Sequence, residues 1–184
     1  PMALPFLEID EKKIISSTGA LSLKKIPKKL LVVGGGVIGL ELGSFYKRLG
    51  TEVEVIEFLD KIIAEYDDDV STVFQRILEH QGLKFNLGAK VVGGKSTAKG
   101  VTLTVETKEG KKEFSADHAL ISIGRKPYTE GLGLDKANVK VSDRGFVEVD
   151  GFFKTSNTNV YAVGDVIGGV MLAHKGSHET VTVI

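Results

Sequence analysis

The sequence contains no cysteine, which excludes a disulfide framework, a thiolate nucleophile and a cysteine metal site. Proline is scarce, with 4 residues, whereas glycine numbers 22. That combination predicts many tight turns and close backbone approaches, not a disordered tail. An excess of charge of one sign is missing too. Lys+Arg and Asp+Glu each number 24, so no global field draws in nucleic acid or an acidic membrane surface. No apolar stretch approaches the ~20 residues that span a bilayer. The opening Pro1-Met2-Ala3-Leu4-Pro5 lacks the charged and apolar regions of a signal peptide. A soluble chain is expected, with one domain or one domain plus a piece of another.

What is present falls into three sections. Residues 1–29 hold no long periodic segment; Ser16-Ser17-Thr18-Gly19 reads as a turn and Lys24-Lys25-Ile26-Pro27-Lys28-Lys29 as a solvated connector. Leu30 to Val33 then reads as a buried parallel strand, and Val37 to Leu49 as a helix closed by Gly50. Glu52 to Glu57 alternates as a second strand. Asp67-Asp68-Asp69 opens a second helix with Val70, Val73, Phe74, Ile77 and Leu78 along one face, stopped by Gly82. Leu83 to Leu87 is the third strand. This order predicts an α/β, Rossmann-like doubly wound parallel sheet. Residues 89–115 alternate as an antiparallel meander, and Ala119 to Ile123 returns as an apolar strand. Beyond about residue 127, short strands are expected at Phe146–Val149 and Val160–Val163. A helix begins near Gly176 and is still running at Ile184, which suggests a piece of a longer protein.

The chemistry-bearing string is Gly34-Gly35-Gly36-Val37-Ile38-Gly39, which places glycines in the G-x-G-x-x-G pattern at Gly34, Gly36 and Gly39. It follows a strand, opens a helix and precedes a second strand that ends in an acid, the context that makes the pattern specific. Gly34 permits the tight turn, Gly36 lets backbone approach a pyrophosphate, and Gly39 lets helix and strand pack closely. Glu57 lies 23 residues after Gly34, where a carboxylate accepts hydrogen bonds from the adenosine ribose hydroxyls. Phe58, Leu59 and Asp60 follow it, with no arginine for a 2′-phosphate, so NAD is favoured over NADP. Glu41 shares a helix face with Val37, Ile38 and Phe45. A carboxylate there either faces a ligand or snorkels to solvent.

Several strings together resemble the dihydrolipoamide dehydrogenases, a group of flavin-dependent pyridine nucleotide-disulfide oxidoreductases. They are Ser16-Ser17-Thr18-Gly19-Ala20-Leu21, Val33 to Ser44, Gly124-Arg125-Lys126-Pro127, Thr155-Ser156 with Val160 to Asp165, and Met171-Leu172-Ala173-His174-Lys175. The resemblance covers essentially the whole chain. It implies that residues 1–23 connect from an FAD domain, 24–126 form the NAD-binding domain, and 127–184 are the returning, truncated part of the FAD-binding domain. It further implies Val37 where related NADPH enzymes place a gating tyrosine, Glu41 near the nicotinamide carboxamide and the flavin, and Gly124 against the nicotinamide side. Asp165, on its own a turn aspartate after Gly164, would hydrogen-bond the flavin ribitol, and backbone near Ala173 would face the isoalloxazine.

The parent reaction implied is oxidation of dihydrolipoamide through a disulfide and FAD, with hydride passed to NAD. The implied setting is a homodimer within 2-oxo acid dehydrogenase complexes, in the mitochondrial matrix or cytoplasm. Without redox cysteines the chain alone is expected to be inactive. A non-catalytic NAD-binding or sensing module, a fragment of another disulfide reductase, and an interaction fragment stay open as alternatives. No metal site is expected: His174 and His178 have helical spacing but no H-E-x-x-H, and Asp67 to Asp69 lack calcium-loop spacing.

Overall fold

Side chains alternate across a strand, and that alternation organises the first of two units. The computed structural model describes residues 1–184, which divide into Pro1–Arg125 and Lys126–Ile184. The first unit runs β1 (Ile14–Ile15), α1 (Ser17–Leu21), β2 (Lys29–Val33), α2 (Val37–Arg48), β3 (Glu52–Ile56) and α3 (Asp68–His80). It continues through β4 (Lys84–Asn86), β5 (Lys90–Thr97), β6 (Gly100–Thr107), β7 (Gly110–Ala116) and β8 (His118–Ile121). One sheet has the order β1-β8-β2-β3-β4 with every pair parallel, and β5-β6-β7 is a separate antiparallel sheet.

Leu30 and Val32 of β2, with Val53 and Val55 of β3 and Leu120 of β8, face the helices and pack with Ala20, Leu40, Tyr46 and Leu78. Leu31, Val33, Ile56, Ala119 and Ile121 face the other way, onto Val91, Val101, Leu103 and Val105 of the meander. The parallel sheet is therefore covered by helices on one side and by the meander on the other. Burial on both faces explains why the central β2 and β8 read as continuous apolar runs, whereas β3 and β6 alternate. The α/β reading and the meander hold.

The opening segment differs from expectation. Ser16 to Gly19 is not a free turn. Ser16 caps α1, its Oγ accepting the Thr18 N–H at 3.1 Å. Ile14 and Ile15 add β1 alongside β8. A two-residue strand and a five-residue helix show no periodicity in sequence, so neither was legible there. Asp117 closes the basic connector by accepting the Lys28 and Lys29 N–H groups at 2.7 and 2.9 Å. Asp67 caps α3 as expected, accepting the Asp69 N–H at 2.9 Å.

The second unit contains a short 3₁₀ turn at Gly164–Ile167 and α4 (Ala173–Val183). The helix begins three residues before Gly176. The strands expected at 146–149 and 160–163 are not ladders but isolated bridges, Val141 with Val147 and Lys154 with Tyr161. The Thr155 N–H to the Val160 carbonyl and the Ala162 N–H to the Phe153 carbonyl, each at 3.0 Å, make the second bridge, whereas the Val147 N–H turns away to the Val166 carbonyl at 2.9 Å. No helix in the chain is long and apolar enough to cross a membrane.

His118, at the start of β8, carries a buried Nδ1 with no hydrogen-bond partner. Burial, and then the charge of Lys13, hold its pKa below the ordinary histidine value. The unfolded chain therefore takes up a proton near pH ~6.5 that the fold rejects. His118 contributes stability that is complete above that pH and is lost as pH falls toward its depressed folded value. The melting temperature is expected to drop between pH 7.5 and 5.5, and this drop should shrink in His118→Leu. An identical pH slope in the two proteins would assign it to other groups.

Candidate dinucleotide-binding site

In open parallel sheets, ligands bind at the carboxyl ends of strands, where the strand order reverses. Here the chain leaves β2 for β3 on one side, while β8 pairs on the other. The reversal thus falls at the end of β2, where Gly34 follows Val33.

Each glycine of the turn has a different reason to lack a side chain. Gly34 has φ +106, and a Cβ there would lie 2.5 Å from the Ser122 carbonyl oxygen. A Cβ on Gly39 would lie 2.5 Å from both the Gly34 carbonyl oxygen and Ser122 Oγ, and 2.9 Å from Val32. Gly36 is the exception: a Cβ there would meet nothing within 4 Å, and the residue is exposed. Gly34 and Gly39 are therefore required by the protein itself, whereas the space over Gly36 is open to a ligand. Gly36 is also the N-cap of α2 and provides no side-chain cap. The N–H groups of the first helical turn, Val37, Ile38 and Gly39, have no partner within the helix. With the dipole they form a seat suited to a pyrophosphate.

Glu57, just past β3, is built into the same turn. Its Oε2 accepts the Gly35 N–H at 2.5 Å and its Oε1 accepts the Leu59 N–H at 2.7 Å. Each carboxylate oxygen keeps lone-pair capacity for further donors. The carboxylate is partly buried and fixed from two sides before any ligand arrives. Ser122, after β8, completes the frame by donating to the Val33 carbonyl at 3.0 Å. Sequence reasoning missed both Ser122 and the Gly35–Glu57 bond. A serine after an apolar strand carries no pattern, and a bond across 22 residues has no local signal.

Gly34, Gly36, Gly39 and Glu57 are thus brought together. Val37 and Ile38 open α2, and Glu41 stands exposed one turn further along it. Gly124 follows β8, whose Ile121 pairs with Val33, so it emerges at the same end of the sheet. It has φ +128, and its carbonyl accepts the Met2 N–H at 2.9 Å. Asp165 and Ala173 belong to the second unit, in the 3₁₀ turn and at the start of α4. A groove of about 870 Å3 runs between α2 and α3, lined by Phe45, Val70, Val73 and Ile77 and also by Val37 and Glu41. Its apolar walls suit a hydrophobic contact, not a charged phosphate.

Comparison with known proteins agrees with this geometry. The chain is 50% identical to leghemoglobin reductase of Glycine max over 99% of its length, 49% to dihydrolipoamide dehydrogenase of Chaetomium thermophilum over 98%, and 50% to mitochondrial dihydrolipoyl dehydrogenase of Pisum sativum over 99%. It spans only 35%, 36% and 37% of those proteins, little more than a third of their length. Among solved structures it superposes on LpdA of Mycobacterium tuberculosis with a TM-score of 0.88 at 29% identity, covering 99% of this chain and 39% of that one. The HOCl-induced flavoprotein disulfide reductase RclA of Escherichia coli, in its Cu(II) complex, gives 0.86 at 29% identity, with 99% and 41% covered. The family model for pyridine nucleotide-disulphide oxidoreductases matches residues 6–180, and the chain belongs to that family.

Proposed function

We propose that this chain is the NAD(H)-binding portion of a dihydrolipoamide dehydrogenase, with the nucleotide site in residues 24–126 and part of the flavin site in 127–184. The observation that carries the reading is the open space over Gly36 beside a carboxylate already fixed at the end of β3. The amides at the start of α2 bind the pyrophosphate, and Glu57 accepts the hydroxyls of the adenosine ribose. A 2′-phosphate would meet the Glu57 charge, so NAD is selected over NADP. Val37 is smaller than an aromatic gate and leaves the nicotinamide end open, Glu41 orients the carboxamide, and Gly124 gives the ring room to approach.

FAD, when bound, supplies the hydride exchange with NAD and the electron link to a dithiol. Asp165 holds its ribitol and backbone near Ala173 faces its ring. The chain has no cysteine, so the dithiol that receives electrons from dihydrolipoamide lies outside it, and the chain alone is expected to turn over no lipoamide. The whole reductase would act as a homodimer in 2-oxo acid dehydrogenase complexes. The mitochondrial names of relatives such as that of Pisum sativum favour the matrix.

Glu57→Gln tests the reading sharply. Both oxygens accept backbone N–H groups, and an amide would turn its own NH2 toward one of those donors. NADH affinity is expected to fall roughly 10- to 100-fold, the cost of one charge-assisted hydrogen bond, while the preference over NADPH narrows. Equal NADH affinity in wild type and variant would remove Glu57 from the site.

A further inference from the structure

The turn that carries Asp165 is short. Gly164–Ile167 is a single 3₁₀ turn, a conformation with poor hydrogen-bond geometry. A closing bond at its end runs from the Gly168 N–H to the Asp165 carbonyl at 3.2 Å. Gly164 and Gly168 at its two ends sit at φ +79 and +82.

Two side chains one helical turn apart on α4 reach those ends. Glu179 Oε2 accepts the Gly164 N–H at 2.7 Å. Lys175 Nζ donates to the Gly168 carbonyl at 3.1 Å and also pairs with Glu179 Oε1. The Glu179 side chain is only 10% exposed, and a carboxylate so enclosed is costly unless both oxygens are engaged. Both are. Gly176 lies between the two residues on α4, and a Cβ there would stand 3.3 Å from the Gly164 Cα, so the helix rests directly on the turn. A separate hold, the Val147 N–H on the Val166 carbonyl at 2.9 Å, fixes the middle of the turn but neither end.

We propose that Lys175 and Glu179 are positioning residues that grip the Asp165 turn at both ends and so present the Asp165 carboxylate in one geometry. What the carboxylate is presented to rests on the reading of residues 127–184 as flavin-binding; the grip itself does not. The Lys175 ammonium, against the opposing effect of burial, also holds the Glu179 carboxyl below the usual glutamate range. The grip is therefore expected to persist into mildly acidic solution.

NMR of the 184-residue chain tests it. In wild type the Gly164 amide should exchange slowly, and its resonance should follow the ionisation of Glu179. Lys175→Met is expected to speed Gly164 exchange roughly tenfold or more, move that titration upward in pH, and shift the Asp165 carboxyl carbon resonance. Lys175→Arg should restore all three. Glu179→Gln should abolish the titration seen at Gly164 while α4 remains helical. If Lys175→Met leaves Gly164 exchange and the Asp165 resonance as in wild type, the proposal is wrong. FAD titration by flavin fluorescence separates the two claims. Wild type that binds FAD, with Lys175→Met binding about tenfold more weakly, supports positioning for the flavin; equal binding overturns it. Residues 127–184 are read as only part of a flavin site, so uptake of no FAD by wild type leaves that reading standing, and the grip is then decided by Gly164 exchange and the Asp165 resonance alone.

Discussion

Gly34→Ala is expected to lower the melting temperature of the chain by roughly 10 °C, about 3 kcal/mol for a unit of this size. Two independent effects add. At φ +106 an L-residue is outside the regions it normally occupies, which costs about 1–3 kcal/mol. The new Cβ would also lie 2.5 Å from the Ser122 carbonyl oxygen and 2.8 Å from its carbon. Those are backbone atoms of the segment after β8 and cannot rotate away, so the frame must shift at a further cost of about 1–3 kcal/mol. Against a total stability of about 5–15 kcal/mol the loss is severe but survivable. Thermal unfolding followed by circular dichroism measures it. A melting temperature within a degree or two of wild type would mean that the turn is less constrained than its geometry indicates.

Gly36→Val should behave in the opposite way. Its backbone is extended, with φ −83 and ψ 175, a region that a β-branched residue accepts readily. A Cβ meets nothing within 4 Å. Stability should change by less than about 1 kcal/mol, mostly from a poorer N-cap. The added methyl groups would nevertheless occupy the space where a pyrophosphate has to approach the α2 amides. NADH affinity is expected to fall roughly 100-fold, as two charge-assisted hydrogen bonds lengthen. Measuring unfolding and NADH binding on the same sample separates the two expected roles, Gly34 in the fold and Gly36 in the proposed nucleotide site. A Gly36→Val protein that binds NADH normally would show that the open space is not where the phosphates lie.

The contrast between these two glycines marks what could be read from sequence. Gly34, Gly36 and Gly39 were legible because the strand, the helix and Glu57 surround them in a fixed order. Their division of labour was not, since it depends on Ser122, which arrives from β8 on the far side of β2. The parallel strands and α2 and α3 were legible from apolar runs, caps and stopping glycines. β1 and α1 were not, being too short to show a period, and the expected strands at 146–149 and 160–163 reduce to single bridges, with the Val147 N–H given to the Val166 carbonyl. Val70, Val73 and Ile77 do share a face of α3, yet each remains about half exposed, at 50%, 54% and 48%. Periodicity predicts a shared face but not what covers it. In the second unit, Lys175 and Glu179 are an ordinary i, i+4 pair in sequence. Only the fold shows that Gly164 and Gly168 lie beneath them.

The central claim is that the first unit carries a dinucleotide site selective for NAD. Calorimetric titration of NADH and of NADPH into the wild-type chain tests it most directly. Saturable one-to-one binding of NADH, with NADPH at least about tenfold weaker because its phosphate meets Glu57, is the predicted result. NADPH binding as tightly as NADH, or no binding of either to a chain shown to be folded, would contradict it.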